Sequence, residues 1–212
     1  MSESGLAEGS RARSVGNGLA PWLLEGLFIV ISVLLGFAAA QYGESRADRE
    51  LAQRALTNLQ TELEFNLALV EPYIEFHRAH LRAIAQLKLD DTVESGFQVV
   101  MRVRPELPRD ARADNPLVRR AAWDAASSSG ALRLIDYDLI ARLSEIYQMQ
   151  DHLGEAVRRI PMSSPAFFNP RERDPSIHLT RMALNETLWS EQSLVELYRK
   201  HLPALQAAAR GQ

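Results

Sequence analysis

His77 and His80, with Glu71 and Glu75 nearby at helical spacing, come closest in this chain to a metal-binding pattern. Imidazole and carboxylate groups on one helix face can hold zinc. Neither His-Glu-x-x-His nor a pair of Glu-x-x-His motifs is present, so zinc-peptidase and di-iron chemistry find no support. Ser127, Ser128 and Ser129 offer hydroxyl nucleophiles, but no Gly-x-Ser-x-Gly or Ser-x-x-Lys surrounds them. They read as capping and turn residues ahead of Gly130. Trp123 reads as a core anchor rather than a ligand platform. Arg102, Arg104, Arg109, Arg112, Arg119 and Arg120 could meet anionic headgroups or an acidic partner. Glu106, Asp110 and Asp114 interrupt them, which favours a solvated mixed-charge loop. No catalytic residue, metal ligand or cofactor is expected, and the chain reads as non-enzymatic.

Composition narrows the classes further. The 212 residues include no cysteine, which excludes disulfides, thiolate metal sites and a cysteine nucleophile. A net charge of −3 gives no electrostatic case for nucleic acid as a main partner. Lys88 and Lys200 are the only lysines among the basic residues, a coding bias rather than a binding feature. There is no glycine-rich phosphate cradle, no internal repeat, and no aromatic-basic pattern for single strands.

The most specific stretch is Pro21 to Tyr42, about 22 residues with one charge, Glu25, which matches the thickness of a bilayer core. Only a helix lets a single segment satisfy its own backbone there. Pro21 suits a first helical turn, and Trp22 and Tyr42 lie where amphipathic rings favour the headgroup boundary. A cleaved secretory signal competes, with Arg11 and Arg13 before the run Leu27 to Phe37 and Ala38-Ala39-Ala40 as a cleavage site. The long N-terminal tail, Glu25, and unbroken helical sequence past Tyr42 favour a retained anchor. At 100° per residue Glu25, Ile29, Ser32, Gly36, Ala40 and Gly43 share one sector. Small residues on one face let helix backbones approach, and an intramembrane carboxylate usually faces protein or water. Arg11 and Arg13 on one side balance Arg46, Arg49 and Arg54 on the other, so charge does not orient the span.

Beyond Glu44, Ala52, Leu56, Leu59, Leu63, Leu67 and Val70 recur at spacings of three and four, an amphipathic helix continuous with the span to about Val70. Pro72 is expected to kink or restart it. A second helix follows over Tyr73 to Leu89, punctuated by Asp90-Asp91 and Gly96. Phe97 to Val103 is the one strand-like run, read as extended or irregular. Pro105 to Pro116 reads as a loop, and Leu117 to Ala126 as a short helix. Asp136 or Asp138 caps the next helix, whose apolar face is Leu139, Ile140, Leu143, Ile146, Met149 and Leu153. Pro161 ends it, a loop runs to Pro175, and a last helix from about Ser176 to His201 is limited by Pro203.

Two matches carry a family resemblance. Glu25 to Glu44, with Ser32, Gly36 and Tyr42, leads into the leucine-spaced LTNLQTELEFN; Ala122-Trp123-Asp124 precedes Ser127 to Ile135, then Leu139, Leu143 and Tyr147. Together they resemble a bacterial family of single-span proteins classed as a domain of unknown function, which tends to carry a Trp, a Ser-Gly turn, an apolar pair and a helix ending in Tyr. The chain departs from it in lacking a Lys-rich start and in having Gln41-Tyr42-Gly43 at the end of the span, where the family tends to continue with Asn residues. The resemblance implies an inner-membrane protein with its helical domain on the periplasmic side, and no activity.

The expected architecture is all-α: a disordered tail over 1–20, a transmembrane helix over 21–43, a helical bundle over 44–205 and a flexible end over 206–212. Glu25, Ser32, Gly36, Ala40 and Gly43 are the candidate helix–helix interface, and Trp123, Gly130 and Tyr147 are structural. The expected role is a membrane-anchored interaction protein that self-associates or binds a membrane partner. A ligand-sensing domain signalling through a partner is the alternative, followed by a secreted helical protein.

Overall fold

A computed structural model describes residues 19–87, 94–108, 111, 113–159 and 165–211, and every regular element among them is helical. The expected tail lies outside the described residues, apart from the start of the first helix. The helices are α1 (Leu19–Ala85), α2 (Gly96–Arg102), α3 (Ala121–Ser128), α4 (Tyr137–Arg158) and α5 (Arg173–Ala209). Short 3₁₀ turns cover Ala131–Leu134, Pro165–Phe168 and Pro170–Glu172. The chain divides into two compact units between Ala47 and Asp48, within α1.

In the first unit α1 carries its apolar residues in the open: Phe28 is 73% exposed and Leu35 65%. From Leu24 the helix is long and apolar enough to cross a membrane by length and composition.

The second unit folds around two apolar clusters. The larger joins Leu59, Leu63 and Val70 of α1 to Leu143, Ile146 and Leu153 of α4 and Leu194, Tyr198 and Leu205 of α5. Fully burying each such Leu, Ile or Val contributes about 1.5–3 kcal/mol. The smaller joins Ile84 of α1, Val99 and Val100 of α2, Phe167, and Ile177 and Leu184 of α5. Cross-links pair residue 53 with 209, 64 with 206, 71 with 199 and 77 with 191, so α1 and α5 run antiparallel here.

Local chemistry explains where the elements differ from expectation. Phe97 to Arg102 is helical rather than extended, because Ser95 and Gln98 form a reciprocal capping box at the start of α2. Val99 and Val100 then face the core together with Gly96, whose Cα approaches α5 so closely that a Cβ there would lie 2.8 Å from the Ser176 Cβ. Pro72 and Pro203 sit inside α1 and α5 without ending them. Both are exposed, so each places its missing N–H on the solvent side, where water can satisfy the freed carbonyl. The helix expected from Leu117 begins at Ala121, after a stretch without regular structure over 116–120. Asp136 is the cap of α4 and accepts from the Leu139 N–H at 3.1 Å. Pro161 lies outside the described residues. α5 starts at Arg173, within the expected loop, and continues to Ala209.

Candidate functional site

Between the two apolar clusters the facing sides of α1 and α5 turn polar. Along α1, His77 and His80 separate Val70 from Ile84; along α5, Thr187, Ser190 and Glu191 separate Leu184 from Leu194, and all five polar residues are buried. The α5 hydroxyls stay within their own helix: Thr180 donates to the Ser176 carbonyl, Thr187 to Ala183 and Ser190 to Glu186, at 2.8–2.9 Å.

His77 is engaged at both ring nitrogens. Nε2 lies 3.0 Å from the Asp114 carbonyl, and Nδ1 lies 3.0 Å from both carboxylate oxygens of Glu191. A carbonyl can only accept, so Nε2 carries a proton. One further proton lies between Nδ1 and Glu191, and the pair is neutral as a unit wherever that proton sits. Burial pushes the Glu191 carboxyl above the ordinary carboxylate range, while His77 pulls it back. Arg104 pairs with Asp114 at the edge of the layer. His80 Nε2 donates to the Val100 carbonyl at 3.2 Å, and burial holds this imidazole below the usual histidine range.

The polar layer also secures the irregular segment over 113–120 and its entry into α3. Tyr73 donates to the Ala113 carbonyl at 2.7 Å, next to the His77 bond to Asp114. Asn66 clamps Arg119 at two points, donating to its carbonyl at 2.7 Å and accepting from its N–H at 2.8 Å. Glu62 accepts from the Ala122 N–H at 2.8 Å, at the start of α3. Glu62, Asn66, Tyr73 and His77 follow helical spacing along α1 and all bond to backbone atoms. The path of the segment is therefore held largely without regard to its side chains.

Trp123 stacks on Tyr147 with ring centres 4.6 Å apart, and the Tyr147 hydroxyl donates to Glu62 at 2.7 Å. Burial and the neighbouring carboxylate drive the Tyr147 phenol far above its ordinary range, so it remains a donor. Gly130 adopts φ +75°, the left-handed conformation that lets the chain turn from α3 into the next 3₁₀ turn. Ser128 and Ser129 donate to the carbonyls of Ala125 and Ala126.

Several residues with chemical potential are engaged elsewhere. Glu71 pairs with Arg199 and Glu75 with Arg78, away from the histidine pair. In the arginine-rich stretch, Arg102 meets Glu94, Arg120 meets Asp124 and Asp151, and Arg119 lies over the Phe65 ring at 3.4 Å. Arg109, Asp110 and Arg112 lie outside the described residues. An open cleft of about 900 Å³ between α1 and α5 is edged by Glu71, Glu75, Arg78, Arg199 and Lys200, a mixed set with no dominant sign.

The expected interface residues occupy the other unit. Glu25, Ser32, Gly36, Ala40 and Gly43 are all exposed, and nothing approaches within 4 Å of where a Cβ would stand at Gly36 or Gly43. Ser32 donates to the Phe28 carbonyl at 2.8 Å, so its polarity is met inside its own helix.

Sequence reasoning missed Glu62, Asn66 and Glu191. Each is a polar residue at an apolar-face position, between Leu59 and Leu63, Leu63 and Val70, or Leu188 and Val195. A buried polar group needs a partner, and this was the available signal. No family model matches the chain, and neither a curated protein nor a solved structure does so.

Proposed function

We propose that this chain is a single-span membrane protein of the bacterial inner membrane, with no enzymatic role, whose helical domain lies on the periplasmic side. It associates with itself or with a membrane partner through Glu25, Ser32, Gly36, Ala40 and Gly43. The carrying observation is the open ground along that face: Gly36 and Gly43 have no neighbour near the Cβ position, and Ser32 has its hydroxyl satisfied within the helix. Such a face lets a second helix approach closely at little desolvation cost. A retained anchor is favoured over a cleaved signal because Ala38-Ala39-Ala40 lies inside α1, which extends on both sides of it. Placement in the bacterial inner membrane rests on the family resemblance.

The polar layer itself gives less support to small-molecule sensing. The cavity within the polar layer measures about 20 Å³, against the several hundred Å³ of ordinary ligand pockets. Ser32→Leu combined with Gly36→Leu is expected to weaken association in a membrane two-hybrid assay, while Leu34→Ala on the opposite face leaves it unchanged. Equal signals from all three proteins would refute the assigned face.

A further inference from the structure

The small cavity in the polar layer lies where α1, the end of α2, the 113–115 segment and α5 meet. Its lining includes His77, His80, Arg104, Asp114, Asn115 and Thr180, with Phe76, Val100 and Leu184 closing the apolar side. Two of these groups have hydrogen-bonding capacity left over. Asn115 Oδ1 is fully buried and no group among the described residues donates to it. His80 donates through Nε2 to the Val100 carbonyl, which fixes the tautomer and leaves Nδ1 as a bare lone pair, for which the described residues supply no donor. Thr180 has committed its proton to the Ser176 carbonyl, so it too can only accept here. The unmet groups are therefore acceptors, and an occupant must donate at least twice.

Size and charge select the occupant. A cavity of about 20 Å³ accommodates one water molecule, which needs roughly 10–15 Å³ by the same measure. The charged groups facing it are balanced: His77 with Glu191 is neutral as a pair, Arg104 is matched by Asp114, and Tyr73 and His80 are uncharged. A neutral donor fits this balance and an ammonium ion does not.

We propose that the cavity is a binding site for a single water molecule that donates simultaneously to His80 Nδ1 and Asn115 Oδ1. This water ties the 113–115 segment to α1 beside the direct bonds from Tyr73 and His77. It completes a chain from the Val100 carbonyl through the His80 ring to Asn115, and so links the end of α2 to the 113–115 segment.

The test is NMR of the full-length protein in detergent micelles, with nitrogen-15 in histidine and asparagine. His80 is expected to show a protonated Nε2 and a hydrogen-bonded, unprotonated Nδ1. A long-lived water is expected to give cross-relaxation to both the His80 ring and the Asn115 side-chain amide. A His80 protonated at Nδ1, or no long-lived water at either residue, would overturn the proposal. Asn115→Leu is expected to remove the water signal at His80; its persistence in a folded variant would overturn the role of Asn115. Exchanging sodium chloride for ammonium chloride at equal ionic strength is expected to leave both resonances in place. A saturable shift would assign the site to ammonium and overturn the water assignment.

Discussion

Removing His77 is expected to cost more than removing the carboxylate it faces, although the two form one contact. In the native protein Glu191 is fully buried and His77 is 1% exposed, with both carboxylate oxygens 3.0 Å from Nδ1. His77→Leu leaves a buried carboxyl with no partner in a layer whose other anion, Asp114, already pairs with Arg104. Breaking a buried ion pair in this way typically costs about 3–5 kcal/mol. Glu191→Leu leaves instead a neutral imidazole that keeps its Nε2 bond to Asp114 and loses only the partner of its Nδ1 lone pair, about 1–3 kcal/mol. Glu191→Gln retains a donor for the Nδ1 lone pair and should cost least, about 1 kcal/mol. The double variant His77→Leu/Glu191→Leu should be more stable than His77→Leu alone, because no charge is then stranded.

The effect of pH supplies a second check on the same reasoning. Burial already raises the Glu191 carboxyl above its ordinary value, and His77→Leu removes the one group that lowers it. A raised folded-state pKa favours the folded state at low pH and loses that benefit as pH rises. The His77→Leu penalty should therefore grow from acid toward neutral pH, by up to about 1.4 kcal/mol per unit. Urea unfolding of the full-length variants in micelles, followed by far-UV circular dichroism at several pH values, measures each difference. A double variant at least as unstable as His77→Leu, or a penalty independent of pH, would refute the stranded-charge argument.

Three further outcomes follow from the same layer and its surroundings. Asn66→Ala removes two bonds to the Arg119 backbone and should cost about 2–3 kcal/mol in urea unfolding. His80 and His201 are both held below the ordinary histidine value near 6.5, chiefly by burial, so the folded state binds their protons less tightly than the unfolded chain. Stability present above that value should fall as pH drops below it, by up to about 1.4 kcal/mol per unit for each histidine, and His80→Gln should flatten the slope measured by urea unfolding. Gly96→Ala places a Cβ against Ser176 and should lower stability by about 1–3 kcal/mol, read as a lower urea midpoint.

The helical class and much of the core were legible because they depend on spacing alone. Leu59, Leu63 and Val70 repeat at helical intervals, and all three are fully buried. α2 was misread because Val99, Val100 and Val103 suit a strand, yet the Ser95-x-x-Gln98 capping box was present in the sequence and decides the element. Pro72 and Pro203 read as breaks because proline opposes helix interiors, but both fall on solvent-facing positions where the cost is smallest. The polar layer was harder to see. His77 stood out by type, while its partner Glu191 is 114 residues away, a pairing fixed by the antiparallel register of α1 and α5 rather than by a local motif. Asn66 and Glu62 bond to backbone atoms of a segment whose path no spacing rule specifies.

The central claim concerns the small-residue face of α1. The chain contains no cysteine, so single cysteines can be placed at Ser32, Gly36 or Leu34 without competing thiols. The decisive measurement is crosslinking of these three variants in native membranes after their thiols are labelled with a photoactivatable group, which needs no cysteine on the partner, with the captured products identified by mass. The account predicts efficient crosslinks from positions 32 and 36, to a second copy or to one recurrent membrane protein, and weak crosslinking from position 34. Equal yields from all three positions, or none from 32 and 36, would contradict it.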